Sequence, residues 1–564
     1  MAYFAPAFMP ASPPRQARNV PMMPPESSYF IPQPATYFIP QQIPQQQPQQ
    51  QQGPMSTIAK VSPDDDDRVI NIASANRWHL NVGAGQTRFF TLDMSGVNLR
   101  ALPPPLFGPE FSQITSLYLG DNRLSVFPIA LTKMTQLQCL HLQRNNLTEI
   151  PREIQYLREL RELDISNNQL TKLPPEIGCL WQLLSLNVMG NRFQFADSTL
   201  LNQDVTSIVR ALLEKCDLPQ EPSVEREWRM ENFMLPGDGP VIRIMSYNIL
   251  AEIYCNAHLY TYCPTKNLDP DYRRKKVLEQ IRKYDADIVC LQECDARQFA
   301  QINKEMQQRG FESCFEQKTR THRMRPEEQP SVDGCATFWR ASKFTLLEKC
   351  VHPFQALSQK KFNSIQGDKT GFFQLNSKEH VALATVFETK SAKPRRFALS
   401  NTHTFWDPAF EYIKLMQAQM QIEEILEIQK KYTTDPEHPL PLIFAGDYNS
   451  TPVSGVYELF SKGKVSPTHP HWMKMNFGKY TTEGIDNGQK FVSVYAKNGE
   501  PEYTNCGPDY CGVLDYIWVT PKPIRPLRVL DVIPMAKLEP TLKPFPNPAF
   551  PSDHIPLVAD IQFV

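Results

Sequence analysis

A chain of 564 residues is longer than one ordinary folding unit, and 41% apolar with 21% charged residues suffices for ordinary cores. The formal net charge of −1 excludes a global basic field, so any polyanion site must be local or must borrow positive charge from metal ions. No apolar run reaches the ~20 residues that cross a bilayer, and an N-terminus poor in basic residues and interrupted by proline makes a poor signal or transit peptide.

Residues 1–67 read as a disordered tail. Gln41–Gln52 is nearly all glutamine and proline and offers no apolar face to bury. Tyr-Phe-Ile-Pro occurs at 29–32 and again at 37–40, which is either chance duplication in a biased tail or a short partner-binding motif. The Asp64–Asp67 run keeps the tail solvated.

Residues 68–218 carry a repeat. Asn122, Asn145, Asn168 and Asn191 recur every 23 positions, each after an apolar-x-apolar pair (Leu117/Leu119, Leu140/Leu142, Leu163/Ile165, Leu186/Val188). Leu124, Leu147, Leu170 and Phe193 follow by two, and Pro128, Pro151 and Pro174 keep the period. This is the leucine-rich-repeat pattern, with Leu92, Met94 and Leu99 as a degenerate first unit. One repeat cannot bury its own apolar face, so the units stack into a curved, capped solenoid whose extended concave face suits protein docking. Asn202–Cys216 reads as an amphipathic capping helix, and the prolines of 219–240 mark a linker.

Strand-like and helix-like segments alternate through 241–564, without a glycine-rich phosphate loop, so the expected fold class is an α/β sandwich of two sheets following the solenoid. The strands expected are Val241–Ile249, Asp287–Leu291, Ala336–Trp339, Val381–Phe387, Phe397–Thr402, Leu442–Ala445 and Leu514–Val519. The helices are Arg273–Tyr284 and Tyr412–Lys431, the latter long and amphipathic. The twelve cysteines form no CxxC pair. The closest spacings, Cys290/Cys294 and Cys506/Cys511, suit no zinc site, so the cysteines read as reduced, mostly buried thiols of an intracellular protein.

Chemistry-bearing residues gather at the strand ends: Ser-Tyr-Asn248, Leu-Gln-Glu293, Asn-Thr-His403 with Trp406-Asp407-Pro408 beyond it, Gly446-Asp447-Tyr448-Asn449, Leu514-Asp515, and Ser552-Asp553-His554 before the last strand. A single Asp in such a place is more often a turn residue. Their joint occurrence in this order points to one crevice, and so many buried carboxylates need a cation. Oxygen donors without a thiolate cluster select magnesium or manganese.

In this order the motifs closely resemble the exonuclease–endonuclease–phosphatase superfamily over essentially all of 241–564. A repeat domain placed just before such a nuclease is similar to the carbon-catabolite-repressor-type deadenylase subunits of the Ccr–Not complex. Tyr262-Cys263-Pro264, Asp333-Gly334-Cys335-Ala336 and Ser450–Val456 add to the likeness. The resemblance implies a 3′→5′ exoribonuclease that shortens messenger RNA poly(A) tails and releases 5′-AMP, using one or two magnesium ions for which manganese can substitute. It makes Glu293 the principal metal ligand, with Asn248 beside it, Asp447 near the metal and Asp553 helping a second ion. Asp447 would deprotonate water, and Asn449 would donate to the phosphate. Asp515 would hold His554 as imidazolium, and His403 would contact the scissile phosphate. Pro408 and Tyr510 would stack the base. It further implies a DEDD-type deadenylase docked on the solenoid, a Not scaffold reached through it, and a cytoplasmic setting with the nucleus as a second compartment.

Three departures stand against the family pattern: Phe405 where a histidine is usual, Cys511 where a lysine is usual, and a partly matching stretch at Asn376–Ala384. Two other readings are a phosphodiesterase or phosphatase of the same superfamily acting on another nucleotide or on DNA, and a scaffold that has lost activity. The first fits poorly with a docking solenoid, the second with a complete set of catalytic side chains.

Overall fold

The computed structural model describes residues 78–83, 86–102, 113–193, 200–231, 239–538 and 540–564. The tail expected over 1–67, with its two Tyr-Phe-Ile-Pro copies and its Asp run, lies outside them.

The solenoid follows from its asparagines. Short parallel strands Ser116–Tyr118, Cys139–His141, Glu162–Asp164 and Ser185–Asn187 stack in one sheet. Gln86–Asp93 joins them as the degenerate first unit, capped by Trp78–Gly83. Each asparagine reaches back one repeat. Asn145 Nδ2 donates to Leu119 O at 2.9 Å and to its own Leu142 O at 3.1 Å, while its Oδ1 accepts from Leu124 N–H at 2.9 Å. Asn122, Asn168 and Asn191 repeat the pattern. These bonds satisfy buried backbone groups that a 23-residue coil cannot pair through its three-residue strand. Asn145→Ala is therefore expected to strand Leu124 N–H and to remove one of the two amide donors from Leu119 O and Leu142 O, which Asn122 and Asn168 still reach, at a cost of about 2 kcal/mol, read as a lower denaturation midpoint by far-UV circular dichroism. No change would mean that the ladder is not what holds the repeats.

The capping helix spans Val205–Leu213, shorter than expected at both ends, with Asp204 accepting from Ser207 N–H at 2.9 Å as N-cap. It buries Ile208, Val209 and Leu212 on the repeat core. It lies so close that a Cβ on Gly178 would sit 2.2 Å from Leu213 N. Arg210, on the same helix, donates to Thr261 O and Cys263 O at 3.1 and 2.9 Å and ties the solenoid to the second domain.

The second domain has four layers. One sheet runs Phe311–Gln317, Asp333–Arg340, Ile288–Asp295, Val241–Asn248, Leu557–Phe563, Ile524–Leu530 and Trp228–Met230 in spatial order. The other runs Phe344–Pro353, Val381–Thr389, Arg396–His403, Leu442–Asp447, Asp515–Val519 and Val492–Ser493. Ile242, Ile244, Ile288 and Cys335 of the first meet Leu383, Leu399, Ile443 and Ile517 of the second in a shared core. The alternate residues Met245, Tyr247, Val289 and Leu291 point outward under helices Pro270–Tyr284 and Ala296–Gln308. Central strands covered on both faces read as unbroken apolar runs, as Leu442–Ala445 does.

Three expectations are corrected. Residues 219–240 are more than a linker: Trp228–Met230 forms an edge strand, its indole held between Arg243 and Arg528 at 4.7 and 4.5 Å. The helix Glu411–Tyr432 is not amphipathic, since every residue from Tyr412 to Ile422 is buried. Its polar groups find partners instead. Gln417 accepts from Phe405 N–H at 2.7 Å, Gln421 donates to Ser400 Oγ at 2.9 Å, and Lys414 donates to Asn449 O at 2.8 Å. Finally, Cys506 and Cys511 face each other across a hairpin and are joined as a disulfide, while the other ten cysteines are free thiols as expected.

Candidate active site

Topology brings the chemical residues to one edge of the sandwich. Val241–Asn248 and Ile288–Asp295 run parallel, with Asn248 opposite Gln292, so Asn248 and Glu293 emerge together. In the facing sheet Arg396–His403 and Leu442–Asp447 are also parallel, with His403 opposite Asp447. Asp515 begins the antiparallel neighbour directly opposite Asp447. The last strand is antiparallel to Val241–Asn248, so His554, just before it, enters at the same edge. At Gly446, φ is +157° and a Cβ would meet Thr402 O at 2.2 Å, so only glycine allows the approach that sets Asp447 beside His403.

Glu293 is aimed by a bulge. Gly334 pairs with Cys294 and Ala336 with Leu291, leaving Gln292 and Glu293 against Cys335 alone. Glu293 takes φ +53°, a left-handed conformation that a side chain adopts at a cost. Its Oε2 accepts from Ala251 N–H at 3.0 Å.

One amide nitrogen sits at the centre. Asn248 Nδ2 donates to Glu293 Oε1 at 3.0 Å and Asp447 Oδ2 at 2.9 Å and lies 3.5 Å from His554 Nε2, its orientation fixed by Leu250 N–H on Oδ1. His554 Nδ1 donates to Asp515 Oδ2 at 2.8 Å, and the same oxygen accepts from Thr504 Oγ1 at 2.6 Å. Burial alone would lower the His554 pKa, but the carboxylates of Asp515 and Asp447 outweigh it and hold it well above the ordinary value. Glu293 is pushed up to about 7 by burial, then by Asp553 and Asp333, against the pull of Lys318. Asp447 is raised by burial and then by Asp515. Two acids raised side by side are short of positive charge.

His403 is different. Burial, then Lys318, lower it to about 4, so it is neutral. Asn449 donates to its Nε2 at 3.0 Å and to Thr404 O at 3.1 Å, which puts the ring proton on Nδ1, an atom with no partner among the described residues. Both amide protons of Asn449 are thus engaged, and a phosphate contact would need one of them released. Asn449 itself has φ +48° and accepts from Lys414 through its carbonyl.

Several neighbours escaped the sequence reading. Buried Asp333, quoted there only as part of a motif, binds Lys318 and Arg320 at 2.6 Å each, and Arg320 donates to Tyr254 OH at 2.8 Å. The available signal was the basic stretch Lys318, Arg320, Arg323 and Arg325. Tyr260 OH donates to Asp553 Oδ2 at 3.3 Å. Pro408 is exposed at the start of a short turn beside exposed Trp406, and Tyr510 is half-buried in the Cys506–Cys511 hairpin. Phe405 is buried under Lys378 Nζ, 4.2 Å from the ring centre.

The donor set fits a hard divalent cation. The carboxylates of Asp447 and Asp515 lie within 4.8 Å of each other and of the His554 ring, which as an imidazolium cannot itself ligate, and Glu293 shares the Asn248 amide with Asp447. Asp515 Oδ1 is buried without a hydrogen bond. The donors left to an ion are carboxylate oxygens, with no thiolate among them.

Residues 245–554 match the model of the Endonuclease/Exonuclease/phosphatase family, and 135–193 match a leucine-rich-repeat model. Among curated proteins, the chain is 33% identical to the CCR4-Not complex 3′-5′-exoribonuclease subunit Ccr4 of Schizosaccharomyces pombe over 84% of this chain and 74% of that one. The protein of the same description from Mycosarcoma maydis is 32% identical over 65% of this chain, which spans 58% of its length. Among solved structures, ANGEL2, described as a 2′,3′-cyclic phosphatase, aligns at 23% identity and a TM-score of 0.48 over 60% of this chain and 98% of that one.

Proposed function

The chain belongs to the Endonuclease/Exonuclease/phosphatase family, alongside the Ccr4 subunits, and on that premise we propose that it is a magnesium-dependent 3′→5′ exoribonuclease that shortens messenger RNA poly(A) tails and releases 5′-AMP. The observation that carries this reading is the pair Glu293 and Asp447, both raised by burial and then by neighbouring carboxylates, and both bonded to one Asn248 amide beside a protonated histidine.

Glu293 would hold the ion, with Asn248, Asp447 and Asp553 around it, and manganese could replace magnesium. A bound divalent cation would offset the buried carboxylates and stabilise charge on the phosphate oxygens. Asp447 orients the attacking water and accepts its proton. Asp515 keeps His554 protonated, so its Nε2 donates to the phosphate as charge builds there. Neutral His403, held by Asn449 with its Nε2 beside Asp447, would contact the same phosphate. Pro408 and Tyr510 would flank the terminal adenine, since single-stranded bases are gripped by stacking.

The solenoid, in this reading, docks a DEDD-type deadenylase and reaches a Not scaffold through it, in the cytoplasm and secondarily in the nucleus. In support, Val126, Ile129, Leu184 and Met189 are 55–75% exposed on the repeats. The test is a panel of oligo(A), oligo(U), abasic DNA and dinucleotides, with magnesium, manganese or chelator. Oligo(A) should shorten from its 3′ end with 5′-AMP released, and chelator should stop it. Faster cleavage of abasic DNA, or adenylated RNA left intact under either metal, would sink the reading.

A further inference from the structure

Where the solenoid meets the nuclease domain lies a small crevice, with enclosed room for about one water and a mouth open to solvent, lined from the repeats by Arg158, Cys179 and Trp181 and from the nuclease domain by Tyr262 and Lys543. Arg158 Nε and Trp181 Nε1 are buried there with no hydrogen-bond partner among the described residues, and no carboxylate of those residues lines the crevice. Neither Arg158 nor Lys543 makes an ion pair among the described residues. Glu502 acts on Lys543 only from beyond ion-pair range.

Among the described residues the most buried cations have partners, although Arg273 keeps one unpartnered Nη1. Lys318 meets Asp333, Lys414 meets Glu411 and Asn449 O, and Arg273 donates to three backbone carbonyls. The remaining polar groups at the crevice are spent elsewhere, Tyr262 OH on Phe545 O and the Asn547 amide on Leu542 O and Pro544 O. Two cations from two domains, one with a buried unpartnered Nε–H and the Trp181 N–H beside it, are costly to leave unmet. A guanidinium and an ammonium lining one crevice suit a tetrahedral oxyanion.

We propose that this crevice is an anion site that takes one phosphate group between Arg158 and Lys543 and so clamps the solenoid to the nuclease domain. The group could come from free phosphate or from a nucleoside monophosphate.

The test is thermal unfolding and titration calorimetry of the full chain in chelator, which keeps metal-bound phosphate out of the catalytic cluster, at ionic strength fixed with chloride. Millimolar inorganic phosphate should raise Tm by several degrees. Arg158→Gln and Lys543→Gln should each weaken binding at least tenfold, yet be no less stable than the parent without phosphate, because each removes an unpaired cation. Trp181→Phe, which keeps an aromatic ring and loses the N–H, should weaken binding less. 5′-AMP binding no tighter than phosphate would identify the free anion as the ligand, and tighter binding the nucleotide. No shift beyond the chloride control, or a shift that survives in both Arg158→Gln and Lys543→Gln, would overturn the site and leave a water in the crevice.

Discussion

Glu293→Gln is expected to lower turnover on adenylated RNA at least 10³-fold, about 4 kcal/mol of barrier, while making the metal-free protein more stable at pH 8. The two effects share one cause. Glu293 sits at about 7 through burial first, then Asp553 and Asp333. A carboxyl whose folded pKa exceeds its unfolded value of about 4.3 stabilises the fold below that value, and loses this contribution as pH rises through 7. Ionised Glu293 thus costs the metal-free protein about 3 kcal/mol at pH 8. Glutamine removes that cost and gives up about 1 kcal/mol of charge-assisted hydrogen bonding, for a net gain of about 2. The φ of +53° is kept by both residues and does not confound the comparison. In chelator, Tm of the parent should fall between pH 5 and pH 8 more steeply than that of the variant. Magnesium should then rescue the parent at pH 8 and leave the variant unmoved. Undiminished turnover by Glu293→Gln in excess magnesium would remove Glu293 from the metal site.

That Glu293 could be singled out from sequence, while its setting could not, shows where pattern reading stops. The 23-residue asparagine period was legible because each ladder bond joins neighbours one repeat apart, so local spacing contains the contact. The strand ends were legible because a strand must stop where its polar residues begin. The bulge at Glu293 was not, since it depends on how Cys335 registers from another strand. Nor was the burial of Glu411–Tyr432: its glutamines and lysine look like a wet face until Ser400, Asn449 and Asn487 are seen to receive them. Lys318 stands 85 positions from His403 in the chain, yet it helps to keep that histidine neutral. The Cys506–Cys511 bond depends on a hairpin whose strands are two residues each, too short for any periodicity to announce.

Asp515 and His554 should behave as one unit. Asp515→Asn and His554→Gln are each expected to cost 10³-fold or more in turnover, and the double variant should fall within about tenfold of the worse single. Residues that act through one another lose their contribution once. The hydrogen bond of 2.8 Å between His554 Nδ1 and Asp515 Oδ2 is the coupling. The pH profile separates this from mere packing. His554 stands well above its ordinary value because the carboxylates of Asp515 and Asp447 outweigh burial. The alkaline fall in activity that follows its deprotonation should therefore lie well above pH 6.5. Removing the Asp515 charge leaves burial opposed mainly by Asp447, so the alkaline limb of Asp515→Asn should move to lower pH. The stability sign agrees: a histidine raised by its partner stabilises the fold fully below about pH 6.5 and loses this as pH passes its folded value. The parent's advantage over His554→Gln should thus shrink towards high pH. Additive losses in the double variant, or an alkaline limb unmoved by Asp515→Asn, would show that Asp515 only fills space beside the histidine.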